Sequence, residues 1–187
     1  MAEPEQDPPT EHESSLRKPF TLKLHVLHLD QDDPKKCTSK KLKRFGLVQL
    51  HPTLKTVPIH SIKLDPFAET LMNAADRETI LRSGLTVIDC SWNEGTGVFK
   101  RLRLKNGRRL GVDFLAANPI NYAMPGKLSS VEALSASLII TGFFDEAEFL
   151  LSKFTWGHTF LELNGPLIDE IKASFDARPP QDTTSRS

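Results

Sequence analysis

The chain has 187 residues, of which 39% are hydrophobic and 26% are charged. This balance is typical of a soluble globular protein with one domain, or with two small domains that share an interface. No apolar run approaches the roughly 20 residues that a membrane-spanning helix needs, and the first residues lack the pattern of a secretory signal. The two cysteines, Cys37 and Cys90, form no CxxC pair, which favours reduced thiols in a cytoplasmic protein over a zinc site.

The formal net charge is zero, but the charges are unevenly distributed along the chain. Residues 35–44 and 100–109 together hold half of the 24 lysines and arginines, whereas several acidic residues lie in the first 13 positions. Basic clusters suit a polyanion such as RNA, because neutralising phosphates releases counterions. On charge alone, two solvated lysine-rich surfaces explain the pattern equally well.

The first half of the chain mixes strand and helix patterns. Residues 1–18 have almost no large apolar side chains and are predicted to be disordered, as are residues 177–187. Apolar and polar residues alternate over 20–26, which predicts a half-buried strand. The later elements predicted here are a basic helix capped by Thr38 or Ser39 and ended by Gly46, strands at 47–50 and 59–64, and a helix at 67–83 ended by Gly84.

The second half continues the alternation of strands and helices. Residues 85–88 form an apolar, β-branched run typical of a strand buried on both faces, and Asp89 follows it, where open α/β sheets bind their ligands. The pattern Ser129-x-x-Glu132 predicts a capping box that opens a helix reaching Thr141. Also predicted are a strand at 114–117 and helices at 97–105, 145–153 and 166–175. This order of elements indicates an α/β fold.

Common catalytic motifs are absent from the sequence. There is no GxGxxG, Walker loop, HExxH or GxSxG, and the six histidines show no metal-ligand spacing, so no metal site is predicted. His25 and His28 are predicted to be exposed surface residues. Three segments are unusual, and each also has a purely structural interpretation: 89–92 as a strand-end cap with a core aromatic, 116–122 as a tight turn, and 156–160 as packing at a helix start.

Seven short motifs occur in one order and resemble a known family. They are Lys36-Cys37-Thr38-Ser39-Lys40-Lys41-Leu42, Leu64-Asp65-Pro66, Ala75-Asp76-Arg77-Glu78, Asp89-Cys90-Ser91-Trp92, Ala116-Ala117-Asn118-Pro119-Ile120-Asn121-Tyr122, Leu128-Ser129-Ser130-Val131-Glu132-Ala133 and Phe154-Thr155-Trp156-Gly157-His158. Together they resemble the small-subunit rRNA aminocarboxypropyltransferases of archaea and eukaryotes, over roughly residues 20–175.

The resemblance implies a fold and an activity. The expected fold is a mixed α/β N-terminal domain over 19–110, followed over 111–176 by a parallel-sheet domain like that of the SPOUT methyltransferases, with a trefoil knot. The expected reaction transfers the 3-amino-3-carboxypropyl group of S-adenosylmethionine to N3 of an N1-methylpseudouridine in small-subunit rRNA, releasing methylthioadenosine during ribosome biogenesis. The alternatives are a SPOUT-like RNA methyltransferase and a non-catalytic RNA-binding factor in ribosome assembly.

The resemblance also implies roles for particular residues. Leu64, Pro66 and Trp92 should line the adenosine pocket, and the backbones of Gly111 and Gly126 should contact the adenine edge. The backbone of Ile88 should contact the ribose, and Thr38 and Ser130 should bind the amino-acid arm. Leu128 and Ala133 should complete the cofactor site. Asp89 should accept the N3 proton or orient the ammonium group of the cofactor. The residues expected to bind RNA are Lys35, Lys36, Lys40, Lys41, Lys43, Arg44, Lys100, Arg101 and Arg103.

Two glycines depart from the family pattern. Gly111-Val112 stands where a Leu-Pro pair is expected, and Gly126 stands where a large side chain is usual. Both positions are expected to use backbone atoms, so the contacts can survive with less shielding of the adenine. The expected partner is small-subunit rRNA or a pre-ribosomal particle, with no membrane, and the protein is expected to be a cytoplasmic monomer.

Overall fold

The structure is a computed structural model that describes residues 21–29, 37–89, 99, 102 and 104–177. The predicted disordered tail 1–18, nearly all of the predicted tail 177–187 and most of the predicted helix 97–105 lie outside these residues. Trp92 and five of the predicted RNA-binding residues also lie outside them: Lys35, Lys36, Lys100, Arg101 and Arg103.

The described residues form one parallel sheet in a mixed α/β fold. Its strands are β1 (Leu24–His28), β2 (Gln49–His51), β3 (Ile62–Leu64), β4 (Leu85–Asp89) and β5 (Gly107–Arg108), in the order β2-β1-β4-β3-β5. Every pair of neighbouring strands is parallel. The carboxyl ends of all the strands therefore lie at one edge of the sheet, where parallel α/β sheets bind ligands.

Six α-helices accompany the sheet in the described part of the chain. They are α1 (Thr38–Arg44), α2 (Arg77–Ser83), α3 (Ser130–Ile140), α4 (Phe144–Leu151), α5 (Gly157–Leu163) and α6 (Gly165–Asp176). Helix α3 packs on β4 and on α4, and α1 packs on α3. No helix among the described residues is long and apolar enough to span a bilayer.

The two central strands, β1 and β4, are covered on both faces. In β1 every residue except His28 is buried, including His25 at 5% exposure. The prediction of a half-buried strand here is therefore wrong, because alternation along the sequence does not reveal that β1 pairs with β2 on one side and β4 on the other. Gly84 turns the chain into β4 with a φ of +87°, and a Cβ there would clash with the Lys23 carbonyl oxygen.

The predicted helix at 67–83 is shorter in the structure. Residues 74–76 form a 3-10 turn, and the α-helix begins only at Arg77. Asn73 and Asp76 form a capping box at this point, with Asn73 Oδ1 accepting from the Ala75 N–H at 2.9 Å and Asp76 Oδ2 accepting from the Asn73 N–H at 3.1 Å. These two side chains bond to the backbone locally and so fix the helix start later than periodicity suggested.

The predicted strand at 114–117 is absent, and the described strands all lie within residues 24–108. The expected parallel sheet of the C-terminal half is thus corrected for the described residues: 111–176 contribute helices and an extended segment. The extended segment pairs antiparallel with residues 124–126 through a single bridge between Leu115 and Pro125, and side chains bond to its other edge. The Leu115 N–H donates to Asn164 Oδ1 at 2.8 Å, and the Ala117 N–H donates to Glu132 Oε1 at 2.6 Å.

A buried histidine pair couples the fold to pH. The Thr56 hydroxyl donates to the Thr53 carbonyl, so it accepts from His51 Nδ1 at 3.2 Å. Because Nδ1 then carries the proton of the neutral His51 ring, Nε2 of that ring accepts from His25 Nδ1 at 3.0 Å. Among the described residues His25 Nε2 is buried without a partner. Burial, with the positive groups of His51, Lys23 and Lys63 adding to it, lowers the pKa of His25 to about 4.

We expect the free energy of unfolding to fall as the pH drops from about 6.5 to about 4. Below about pH 6.5 the unfolded chain binds a proton at His25, whereas the folded chain does so only near pH 4. Lowering the pH from 6.5 to 4 therefore stabilises the unfolded chain relative to the folded one, by roughly 3 kcal/mol. Urea unfolding at pH 7.5, 5.5 and 4.5 measures the effect. His25→Leu should flatten the slope, whereas His158→Gln, at an 80% exposed side chain, should leave it; equal slopes in all three proteins would contradict this origin.

Candidate functional site

Asp89 lies at the carboxyl end of β4 and accepts hydrogen bonds from three side chains. His28 Nδ1 donates to Oδ2 at 3.0 Å, the Cys37 thiol donates to Oδ2 at 3.4 Å, and the Ser130 hydroxyl donates to Oδ1 at 2.9 Å. Asp89 is only 9% exposed. Since a carboxylate can only accept, the three donors together offset the cost of burying its charge. We call these four residues the Asp89 cluster.

Each member of the Asp89 cluster comes from a different element. His28 ends β1, Asp89 ends β4 in register with it, Cys37 precedes the first turn of α1, and Ser130 opens α3. The predicted cap of α1 by Thr38 or Ser39 is wrong: the N-cap position is Cys37, whose thiol turns to Asp89. The cluster therefore joins the starts of α1 and α3 to the carboxyl ends of β1 and β4.

His28 is the member that sequence reasoning misplaced. It was predicted to be exposed, but its side chain is 10% exposed and pairs with Asp89. The prediction of an exposed His25 is wrong for the same reason, namely that β1 is an internal strand. Neither segment by itself shows that β1 pairs with β4. Without that pairing, the sequence does not indicate that His28 and Asp89 are in contact.

The ligand-type atoms of His28, Cys37 and Asp89 lie within 4.8 Å of one another, a grouping the sequence did not predict. A metal would need the thiolate and a deprotonated Nδ1. Here both groups instead bond to the Asp89 carboxylate, which accepts from them. Burial and, secondarily, the Asp89 charge raise the pKa of the Cys37 thiol. The described geometry is thus that of a hydrogen-bonded carboxylate, and a metal would have to displace two protons.

Several predicted cofactor residues gather around the Asp89 cluster. Thr38 follows Cys37, Ile88 precedes Asp89, and Ser130 bonds to it directly. On the adjacent strand Leu64 ends β3, which pairs with β4 in parallel. Ser130 also opens an eleven-residue helix, whose first turn has N–H groups that favour a carboxylate.

The other predicted cofactor residues lie on the segments around this edge. Pro66 is exposed, directly beyond β3. Gly111 and Gly126 have φ values of +79° and +69°, which only glycine adopts without strain. A Cβ at Gly111 would lie 3.4 Å from the Leu71 side chain. Leu128 is buried and Ala133 partly buried near the start of α3.

Glu132 fixes the geometry of this region from inside the protein. It is fully buried, yet its carboxylate accepts from the Ala117 and Asn118 N–H groups, the Asn118 amide, and the N–H and hydroxyl of Ser129, all at 2.6–3.0 Å. Sequence reasoning found the capping box with Ser129, which is confirmed. It missed the bonds to 117 and 118, because these depend on the extended segment lying beside α3.

Known proteins resemble this chain over most of its length. The sequence is 43% identical to the 16S rRNA aminocarboxypropyltransferase of Methanosarcina acetivorans, over 79% of this chain and 83% of that protein. It is 45% identical to the protein of the same name in Methanopyrus kandleri, over 79% and 87%. The chain belongs to the rRNA aminocarboxypropyltransferase family.

Two further comparisons concern this aminocarboxypropyltransferase family. The profile described as "Ribosome biogenesis protein, C-terminal" matches residues 62–181. The solved structure of the SAM-dependent rRNA:acp-transferase Tsr3 from Vulcanisaeta distributa superposes with a TM-score of 0.77 at 38% identity, covering 82% of this chain and 84% of that one. The resemblance stated from the seven motifs is thereby confirmed.

A second profile, described as a possible Fer4-like domain in RNase L inhibitor, matches residues 22–56. Iron–sulfur clusters of the ferredoxin type are held by four cysteine thiolates. The matched segment contains one cysteine, Cys37, which donates to Asp89. The residues of this segment therefore do not fit an iron–sulfur cluster.

The described parts of the two basic clusters lie at opposite edges of the sheet. Helix α1, with Lys40, Lys41, Lys43 and Arg44, packs beside β2, and β5 is the far edge strand. Four strand spacings, about 19 Å, separate these edges. Lys41 lies over the Phe154 ring at 4.9 Å, while Lys43 and Arg44 are exposed. A single RNA-binding surface would have to run across the carboxyl ends of the strands, where the Asp89 cluster lies. That the two basic clusters form such a surface stays a prediction.

Proposed function

We propose that this chain transfers the 3-amino-3-carboxypropyl group of S-adenosylmethionine to N3 of an N1-methylpseudouridine in small-subunit rRNA. The observation that carries the proposal is the Asp89 cluster at the sheet edge, in a chain whose relatives bear the name of this activity. A buried carboxylate and a helix start supply an anion and N–H donors side by side. These are the groups that the ammonium and carboxylate of an amino-acid arm require.

The chemistry is a substitution at carbon. A bond forms between N3 and the terminal carbon of the transferred arm, the carbon–sulfur bond breaks, and its electron pair stays on sulfur in the departing methylthioadenosine. When bound, S-adenosylmethionine supplies this activated carbon. The protein's part is to choose that carbon over the methyl carbon by position and to receive the imide proton, a role we assign to Asp89 or to water beside it.

Product analysis tests this reaction against its nearest alternative. Purified protein, S-adenosylmethionine and small-subunit rRNA from cells lacking the protein should yield methylthioadenosine and an rRNA heavier by the aminocarboxypropyl group. A SPOUT-like methyltransferase would release S-adenosylhomocysteine instead. A non-catalytic assembly factor would release neither product.

Trp92→Ala should weaken cofactor binding at least tenfold, about 1.4 kcal/mol. The motif around Trp92 resembles the family's, and an aromatic ring beside the methyl group would block it and stabilise the cationic sulfur. Calorimetric titration of the folded variant measures the loss, with Trp156→Phe as the control at the other tryptophan. Unchanged affinity of Trp92→Ala would rule out this role.

We also propose the chain's knot, its RNA contacts, its oligomeric state and its location in the cell. The trefoil knot is proposed for the C-terminal half, and a structure with cofactor bound would test it by tracing the path of the whole chain. The basic clusters would bind the rRNA or a pre-ribosomal particle on either side of the Asp89 cluster. A monomeric, cytoplasmic protein fits a role in ribosome biogenesis, and light scattering and localisation of the tagged chain would test these two points.

A further inference from the structure

The segment 118–125 projects three large apolar side chains into solvent. Ile120 is 70% exposed, Tyr122, the only tyrosine of the chain, is 57% exposed, and Met124 is 44% exposed. Clustered exposure of this kind on a soluble protein marks an interaction surface more often than chance. We call these three side chains the loop platform.

The loop that carries the platform is held by a dense set of hydrogen bonds. Asn118 Oδ1 accepts from the N–H groups of Ile120 and Asn121, at 3.2 and 3.0 Å. The Ala116 N–H donates to the Met124 carbonyl at 3.1 Å, and the Ala123 N–H donates to the Ala116 carbonyl at 2.7 Å. A loop bonded in this way presents its side chains at fixed positions.

The backbone beside Tyr122 is strained. Ala123 has a φ of +59°, a conformation that costs a non-glycine residue about 1 kcal/mol or more. The bond from its N–H to the Ala116 carbonyl holds it there. Packing does not explain the strain, because both Ala123 and Tyr122 are exposed. The strained residue closes the turn that brings Pro125 beside Leu115, and so sets the position of the Tyr122 backbone.

The platform is anchored to the turn of helix that reaches the Asp89 cluster. Glu132 accepts from the N–H and the side-chain amide of Asn118, the first residue of the loop. Two positions earlier on the same helix, Ser130 donates to Asp89. The backbone that carries the Tyr122 ring and its two neighbours is thus held in place relative to the predicted position of the transferred arm.

We propose that the loop platform binds a base of the rRNA substrate, with the base stacked on Tyr122 and flanked by Ile120 and Met124. This inference rests on the proposed function, since it is the rRNA substrate that brings unpaired bases to this edge. Proteins that act on single-stranded RNA stack splayed bases on aromatic side chains. Lys127, exposed directly after the loop, supplies a positive charge for the backbone phosphate.

Tyr122→Ala should raise the KM for rRNA about tenfold, or about 1.4 kcal/mol, which lies within the range for one base stacked on an aromatic ring. Tyr122→Phe keeps the ring and should stay within twofold of wild type. The affinity for S-adenosylmethionine and the salt dependence of RNA binding should not change, because stacking involves neither the cofactor nor ion release. Leu81→Ala, at a 53% exposed leucine on α2, is the matched control.

The assay uses the full chain and an RNA hairpin that carries the target N1-methylpseudouridine, with RNA affinity measured separately by fluorescence anisotropy. A KM within twofold of wild type for Tyr122→Ala would overturn the proposal. An equal loss in Tyr122→Phe, or a loss seen only with assembled ribosomal particles, would overturn it too, since the partner would then be a hydroxyl contact or a protein. If wild type binds the hairpin but forms no methylthioadenosine, the proposed function fails while the anisotropy result still decides the platform.

Discussion

Asp89→Asn should lower the single-turnover rate of group transfer by about a hundredfold at saturating cofactor, the lower end of what a general base contributes. The carboxylate accepts from His28, Cys37 and Ser130. It has about four lone-pair sites, which leaves one for the imide proton or the ammonium group. An asparagine amide cannot take a proton, and only one of its two terminal atoms can accept from the donors that surround it.

The pH profile separates the two roles open to Asp89. A rate loss that higher pH partly restores would support the role of base, since hydroxide can then remove the N3 proton. A loss confined to cofactor affinity would assign Asp89 to orienting the arm. A rate within about twofold of wild type, with an unchanged profile, would eliminate the base assignment. Asp169→Asn, at an exposed carboxylate on α6, is the control for mere loss of charge.

Glu132→Gln should lower the free energy of unfolding by about 3 kcal/mol. One carboxylate oxygen accepts from the N–H groups of Ala117 and Asn118, and the other accepts from Ser129 and the Asn118 amide. The glutamine NH₂ would stand against the Ser129 N–H, which leaves buried donors unsatisfied at about 1–3 kcal/mol each. Urea unfolding at pH 7.5 measures the change.

Glu148→Gln, at an exposed glutamate on α4, is the matched control and should change stability by less than about 0.5 kcal/mol. Equal stability of wild type and Glu132→Gln would show that the buried carboxylate is not what holds residues 117 and 118 beside α3. A further variant, Asn118→Ala, removes one donor to Glu132 together with the acceptor of the Ile120 and Asn121 N–H groups, and should also be less stable than wild type.

Local patterns predicted most of the elements. The run 85–88, the Ser129–Glu132 box, the helix ended by Gly46 and the helix reaching Thr141 all appear within a few residues of the prediction. These signals depend on short-range rules of periodicity and capping, which a single segment carries in full. The errors fall where distant side chains decide the outcome, as at residues 114–117, where the N–H groups of Leu115 and Ala117 donate to Asn164 and Glu132 instead of to a sheet strand.

The sequence by itself determined the family, the α/β class and the position of Asp89 after a buried strand. The seven motifs and the hydrophobic run are local patterns, so they can be recognised without knowing which distant residues pack against them. Only the tertiary structure decided that His28, Cys37 and Ser130 surround Asp89, and that β1 is internal so that His25 is buried. The physical reason is that strand order and helix packing join residues up to 102 positions apart, as from His28 to Ser130. The burial and pairing of those residues follow from that packing.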